Sequence, residues 1–322
     1  MYNKLRKMTN KRSRTGYRGR NNRKRTIYNV SLIVLSILLL SLIPAYIINF
    51  GGNSGPERRD FLQLWESMAF NEVFYLSGEQ LEVNPLDYFL LTINGFSAYQ
   101  LAIAQINNFN MLHYIDRAIW SLRNAMLLRE SVNDGRLFYV LGKSYFYKGA
   151  GYGDLAIKYL EKARDTGFNA RDIPEYLGLA YASAGDYRSS VAAFTMALNP
   201  PGYDLEPPSD RLVLSIASSY IAMGEDEAAR AYLMLCLATS RNSDMISIAR
   251  LSLGEILTRQ GESGEAEALY ILVTQEGRNA EAHFRLGEIY SSRGEMVRAR
   301  SEWRRAIQVD PGHRQALSRL NL

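Results

Sequence analysis

The residues able to do covalent or metal chemistry are few. The chain has one cysteine, Cys236, so it forms no internal disulfide and offers no cysteine cluster for zinc. Its three histidines, His113, His283 and His313, are far apart in sequence, and nothing pairs them with a carboxylate at metal spacing. The run GAGYGD at 149–154 looks like a phosphate loop, but such a loop follows a strand and opens a helix, and here a helix precedes it. The acids of Gly224–Glu227 and Gly261–Glu265 suit the first turn of a helix, where they meet the positive end of its dipole and need no ligand. The expectation is therefore a chain without metal, cofactor or catalytic group, and not an enzyme.

The charge is uneven. Of 322 residues with a net charge of +5, the first 26 hold eleven Lys or Arg and no acid. The remainder has 27 basic and 33 acidic residues, a net of −6, which argues against a nucleic-acid-binding body with one broad basic face. The tail 1–26 reads as a disordered, topogenic segment. Basic tails with an interleaved tyrosine can also bind RNA or anionic lipid, but nucleic acid is not the expected partner.

Behind the tail, Val30–Ile48 reads VSLIVLSILLLSLIPAYII and carries no charge. Nineteen helical residues reach roughly 28 Å, close to the bilayer core of about 30 Å. The stretch is longer than the apolar core of a cleaved signal peptide, and no small-x-small cleavage site follows it. A retained helix over 28–49 is expected, followed by a linker over 50–57. Eleven positive charges before it, against Arg58 and Arg59 after it, keep the N-terminus in the cytoplasm. The body then lies outside, on a single-pass protein of the cytoplasmic (inner) membrane.

The body repeats itself. Residues 280–313 read AEAHFRLGEIYSSRGEMVRARSEWRRAIQVDPGH, with Leu286-Gly287, Tyr290, Gly294-Glu295, Ala299, Trp303, Ala306 and Pro311 as landmarks. Small Gly287 and Ala299 let two helices approach, Leu286, Tyr290 and Trp303 fill the seam, Gly294 turns the chain and Pro311 ends the second helix. The same landmarks recur near Ser247 (Leu253-Gly254, Gly261, Ala266, Tyr270), Asp210 (Ile216-Ala217, Gly224, Ala229, Leu233, Cys236), Arg171 (Leu177-Gly178, Gly185, Phe194) and Gly135 (Leu141-Gly142, Tyr145, Ala156, Leu160, Ala163). This resembles the tetratricopeptide repeat (TPR) family. The resemblance implies an all-α right-handed solenoid of helix pairs, with repeats over 135–313 and a capping helix over 314–322. Degenerate TPR-like helices are expected over 58–134, where a first helix around Tyr88–Gln105 lacks a clean Leu-Gly. Residues 200–210, PPGYDLEPPSD, read as an extended insertion. Cys236 falls at a small docking position, His113 before a helix, and Trp65, Trp120 and Trp303 on apolar core faces.

In TPR arrays the first helix of each unit lines the concave face. The resemblance places there Arg136, Tyr139, Lys143, Phe146 and Tyr147, then Asp172 and Glu175, Arg211, Glu255 and Arg259, and last Glu281, Phe284 and Glu288. The groove thus reads as aromatic at one end and mixed in charge at the other. The Lys/Asn clamp of chaperone-binding TPR domains is not present at these positions. The candidate partner-binding patch is Tyr139, Lys143, Phe146 and Tyr147, which share one helix face apart from the seam residues Leu141, Gly142 and Tyr145. Surplus aromatics beside a basic residue have a hot-spot composition. The alternative is that the turn Gly149–Asp154, or the 87–130 unit, folds over them as core. Family resemblance implies a membrane-anchored scaffold that binds proteins or peptides, in its groove or at its edges, and supports assembly of a cell-envelope complex. The alternative is a structural subunit of a flagellar-associated or secretion machine, joined through its edges and homo- or hetero-oligomeric.

Overall fold

The computed structural model describes residues 55–128, 133–198 and 208–321. The basic tail, the apolar run, most of the linker and nearly all of the proline-rich insertion lie outside the described residues. The chain divides into two units, Met1–Gln63 and Leu64–Leu322. Among the described residues every regular element is a helix, and none is long and apolar enough to cross a membrane.

The helices are α1 (Arg58–Glu66), α2 (Phe70–Val83), α3 (Tyr88–Ile103), α4 (Asn108–Met126), α5 (Gly135–Lys148), α6 (Gly153–Asp165), α7 (Ile173–Ser183) and α8 (Tyr187–Leu198). They continue with α9 (Asp210–Met223), α10 (Asp226–Thr239), α11 (Ser243–Gln260), α12 (Ser263–Glu276), α13 (Ala280–Ser292), α14 (Met296–Val309) and α15 (Arg314–Leu320). From α2 onward each helix packs on the next, most closely at α2–α3 and within the pairs α3–α4, α5–α6, α7–α8, α9–α10, α11–α12 and α13–α14. Polar caps start many of them: the side chains of Asp87, Asn107, Asp134, Ser209, Asn242 and Asn279 each accept a first-turn N–H. Glycines turn four of the pairs: Gly185, Gly224, Gly261 and Gly294 have φ of 81, 75, 84 and 80°, a region that side-chain-bearing residues enter at a cost.

The seam works as the landmarks imply. A Cβ on Gly142 would strike Leu160, on Gly178 Phe194, on Gly254 Tyr270 and on Gly287 Trp303. Trp303 is buried so tightly that its indole N–H has no acceptor among the described residues. Ala299 and Ala306 are fully buried beside it, and Ala316 of α15 closes the core, as a cap should.

The pair α3–α4 obeys the same rule in disguise. Gly95 takes the glycine position, with a would-be Cβ 2.6 Å from Leu122 of α4. Asn94 stands where the other units have Leu or, in one case, Ile216, and it is fully buried. Its amide donates to Phe74 O and to Ser77 Oγ, each at 2.9 Å, and its carbonyl accepts from Ser121 Oγ at 2.8 Å. A buried amide so satisfied ties α2, α3 and α4 together. The 88–126 stretch is therefore a full helix pair whose Leu-Gly has become Asn-Gly.

Candidate partner-binding face

The first helices also touch one another directly, α3 with α5, α5 with α7, α7 with α9 and α9 with α11. They therefore line the tighter, inner side of the stack. On α5 the candidate residues Tyr139, Lys143, Phe146 and Tyr147 come together, and α3 and α7 add Tyr99, Asp172 and Tyr176.

Lys143 is the hub. Its Nζ donates to Asp172 Oδ2 at 2.8 Å and to the Tyr139 hydroxyl at 3.0 Å. The ammonium also lies 4.1 Å from the ring centre of Tyr176, 4.9 Å from that of Tyr139 and 5.7 Å from that of Tyr99. Tyr139 in turn donates to Asp172 Oδ1 at 2.7 Å. The hydroxyls of Tyr147 and Tyr176 meet at 2.9 Å, and Phe146 stands edge-on to Tyr176 with ring centres 5.4 Å apart. Burial holds the Tyr99 phenol far above its ordinary range, with the neighbouring tyrosines and Asp172 adding to it. Tyr139 is raised by burial and by its bond to Asp172, and Tyr176 by burial and by its bond to Tyr147. These are neutral phenols, fixed as donors and acceptors.

The geometry refines the sequence reading of this patch. Lys143 is only 8% exposed, and its charge is met by Asp172, so it organises the face and is not a free hook for a ligand. The rings of Tyr139, Phe146, Tyr147 and Tyr176 are half-buried, each keeping part of its surface in solvent. Of the two expected covers, the preceding unit supplies one ring, buried Tyr99 packed on Tyr147. The turn supplies none: Tyr152 stacks on Tyr145, which belongs to the seam. What remains open is a neutral surface of ring faces and hydroxyls, suited to apolar side chains and to the backbone of an extended polypeptide.

Two of these residues escaped the sequence reading. Tyr176 sits one position past Glu175, which the repeat register had placed in the groove. Tyr99 lies four residues after Gly95, as Phe146 lies four after Gly142. Recognising Asn94-Gly95 as the local form of Leu-Gly would have found it.

Farther along, the inner face changes. Glu175 of α7 pairs with Arg211 of α9. Arg285 of α13 reaches Glu281 at 2.7 Å and Glu255 of α11 at 3.7 Å. Arg319 of α15 donates to Glu288 at 2.9 Å. Phe284 is not a groove residue: it is buried against the His313 ring, with centres 5.1 Å apart.

Several smaller expectations are corrected. Trp120 is not core; it is 49% exposed, beside a cleft of about 550 Å³ between α2 and α4, with the Arg117 guanidinium 5.3 Å from its ring centre. His113 lies inside α4 rather than before a helix. Two of the histidines do have carboxylate partners in space: His283 Nδ1 lies 2.7 Å from Glu302, and His313 Nε2 3.2 Å from Glu281. Neither makes a metal site, and no group of ligating side chains among the described residues could hold an ion. Cys236 is buried, which pushes its thiol up and away from reactivity. GAGYGD forms a short 3-10 turn, Ala150–Tyr152, between α5 and α6.

Residues 202–322 match the sequence model of the tetratricopeptide repeat-like domain. No curated protein matches the chain. The C-terminal part of a TPR repeat-containing protein from Cytophaga hutchinsonii superposes with a TM-score of 0.58 at 17% identity, over 81% of this chain and 98% of that one. The pilF protein of Pseudomonas aeruginosa does so with a TM-score of 0.51 at 16% identity, over 70% of this chain and 96% of that one. At such identities the likeness is one of fold. The described body is an all-helical solenoid whose fold is similar to that of tetratricopeptide-repeat proteins.

Proposed function

We propose that this chain is a membrane-anchored scaffold that holds an extended segment of a partner protein against the tyrosine face of α3, α5 and α7. The observation that carries the reading is that face itself: half-buried aromatic rings, locked in place by buried Lys143 and its half-buried partner Asp172, on the inner side of the stack. The anchor is residues 28–49, with the tail 1–26 in the cytoplasm and the solenoid on the far side of the cytoplasmic membrane. Bilayer-spanning length, absence of charge and the basic asymmetry support this placement. Assembly of a cell-envelope complex is the role that such a tethered scaffold would fill.

Recovery of partners from detergent-solubilised membranes tests the reading. With Tyr147→Ala plus Tyr176→Ala, the partner retained by the native chain should fall about tenfold or more, a loss of roughly 1.4 kcal/mol or more. A melting curve taken alongside separates lost binding from lost fold. Undiminished recovery by a folded variant contradicts it. A reporter fused after Leu322 should be active only outside the cytoplasm.

The second reading, a structural subunit joined through its edges, has one observation in its favour. A cleft of about 360 Å³ outside the inner face is lined by Phe168, Ile173, Leu177, Tyr181 and Met196, the last 52% exposed. Recovery of a large stoichiometric assembly, insensitive to the tyrosine substitutions, would favour it.

A further inference from the structure

Four of the helix-to-helix turns of this stack are charged, whereas the α3–α4 turn, like residues 149–152 between α5 and α6, is not. The α7–α8 turn carries Asp186, the α9–α10 turn Glu225, the α11–α12 turn Glu262 and the α13–α14 turn Arg293 and Glu295. The α3–α4 turn has no charge, and it belongs to a run, Tyr88–Ile115, without a single Asp, Glu, Lys or Arg. Its polar groups are neutral amides, among them Asn107, which caps α4. Its large apolar side chains point outward. Ile106 is 103% exposed and Phe109 81%, flanked by Ile103 at 45% and Leu112 at 39%.

Leaving four such side chains in water within ten residues is unfavourable unless something covers them. Protein-binding patches carry a polar rim in which charged groups set register. This turn has only amides. A bilayer interface asks for aliphatic and aromatic side chains with no charge to desolvate, entering the boundary of headgroup and acyl chain by about 5–10 Å. Chain length sets where a bilayer would be. Nine residues, 49–57, separate the apolar run from α1, a reach of at most about 30 Å when fully extended. The α3–α4 pair is the first full repeat after that tether.

We propose that the α3–α4 turn is a second membrane contact, in which Ile106 and Phe109, with Ile103 and Leu112 beside them, dip into the lipid interface. The inference rests on the anchored reading above. The contact fixes the orientation of the first repeat on the membrane, which a tether alone leaves free.

Full-length chain bearing Ile106→Cys, labelled with an environment-sensitive fluorophore and reconstituted into vesicles, tests it. Val297→Cys on α14, itself 86% exposed, serves as the reference. Native Cys236 is buried, and unsubstituted chain gives the labelling background. At position 106 the emission should shift to the blue, and a lipid carrying a shallow nitroxide should quench it several-fold more than at 297. Aqueous iodide should quench it less. Emission at 106 matching that at 297 overturns the proposal. Shielding from iodide without quenching by the lipid nitroxide also overturns it, because a protein then covers the turn. Alkaline carbonate extraction reads the anchor separately. Chain that resists extraction while its 106 label sits in water keeps the anchor and loses the turn. Chain that is extracted, yet was quenched by lipid beforehand, keeps the turn as a peripheral contact and loses the anchor. Unchanged helical signal in the labelled variants shows that the fold is intact.

Discussion

Between α3 and α7 the successive first helices are joined through phenols and one buried ammonium; between α11 and α15 they are joined through Arg–Glu pairs open to solvent. Lys143 and Asp172 have side chains 10% and 36% exposed, whereas Arg285 and its two partners, Glu255 and Glu281, are 34 to 46% exposed. The difference separates two tasks. The aromatic end offers area that a partner can cover, and covered aromatic area is what gives tight binding. The charged end offers fields that orient an approaching chain and add little to its grip. The core beneath differs as well. The aromatic end rests on a buried amide, Asn94, where the charged end has Leu253 and Leu286.

Breaking that amide should have the largest effect. Asn94→Ala leaves Ser121 Oγ without its acceptor, takes one donor from Phe74 O and Ser77 Oγ, which still bond to each other, and opens a buried gap; it should cost about 3 kcal/mol in denaturant unfolding. Hydrogen exchange should place the loss in α2–α4, since repeats couple mainly to their neighbours. At the other end, Ala299→Leu should cost about 1–3 kcal/mol by overpacking the α13–α14 seam, with faster exchange near 280–320. Uniform loosening from residue 58 onward, in either variant, would count against a stack of repeats.

The polar links can be compared directly. Lys143→Met should destabilise by about 1–2 kcal/mol, because Asp172 keeps a half-buried charge without its cation. Arg285→Met should cost no more than about 0.5 kcal/mol, and raising the salt should erase that difference. Equal costs for the two would mean that the ends are not distinct.

The smallest effect lies at high pH. Burial holds the phenols of Tyr99, Tyr139 and Tyr176 above their ordinary value of 10.0 in the folded chain. The unfolded chain releases those protons near pH 10 while the folded chain keeps them. Their stabilising effect is therefore full below pH 10 and is lost as the pH climbs through the folded values. Tyr99→Phe with Tyr176→Phe should flatten the alkaline loss of melting temperature, and raised Tyr270 and Tyr290 should leave a residue of it. An unchanged alkaline slope would mean that the phenols are not held in this way.

The repeat was legible because its determinants are local and chemical. Gly287 opposite Trp303 and Gly254 opposite Tyr270 are small-against-large pairs at fixed spacing, and the turn glycines sit at positive φ, which most other residues enter at a cost. The α3–α4 pair was obscured because Asn94 keeps the burial of Leu while changing its chemistry, and a buried amide is understood only once Ser77 and Ser121 are seen around it. The aromatic patch was half legible. Its α5 members share one helix face, which spacing reveals. Tyr99 and Tyr176 join them across distances of 29 or more residues in sequence, which only packing reveals. The bonding of Lys143 was not legible for the same reason: its partner Asp172 belongs to the next unit. Trp120 looked like core because it sits in a helix of mostly buried neighbours, yet it faces the cleft beside α2.

The most direct measurement of the central claim is hydrogen exchange on the full chain with and without the partner recovered from its own membranes. The account predicts added protection in α5 and α7, over 135–148 and 173–183, with α6, α8, α10 and α12 unchanged. Protection confined to those second helices, with none on α5 or α7, would contradict it and move the interface to the outer edges of the stack.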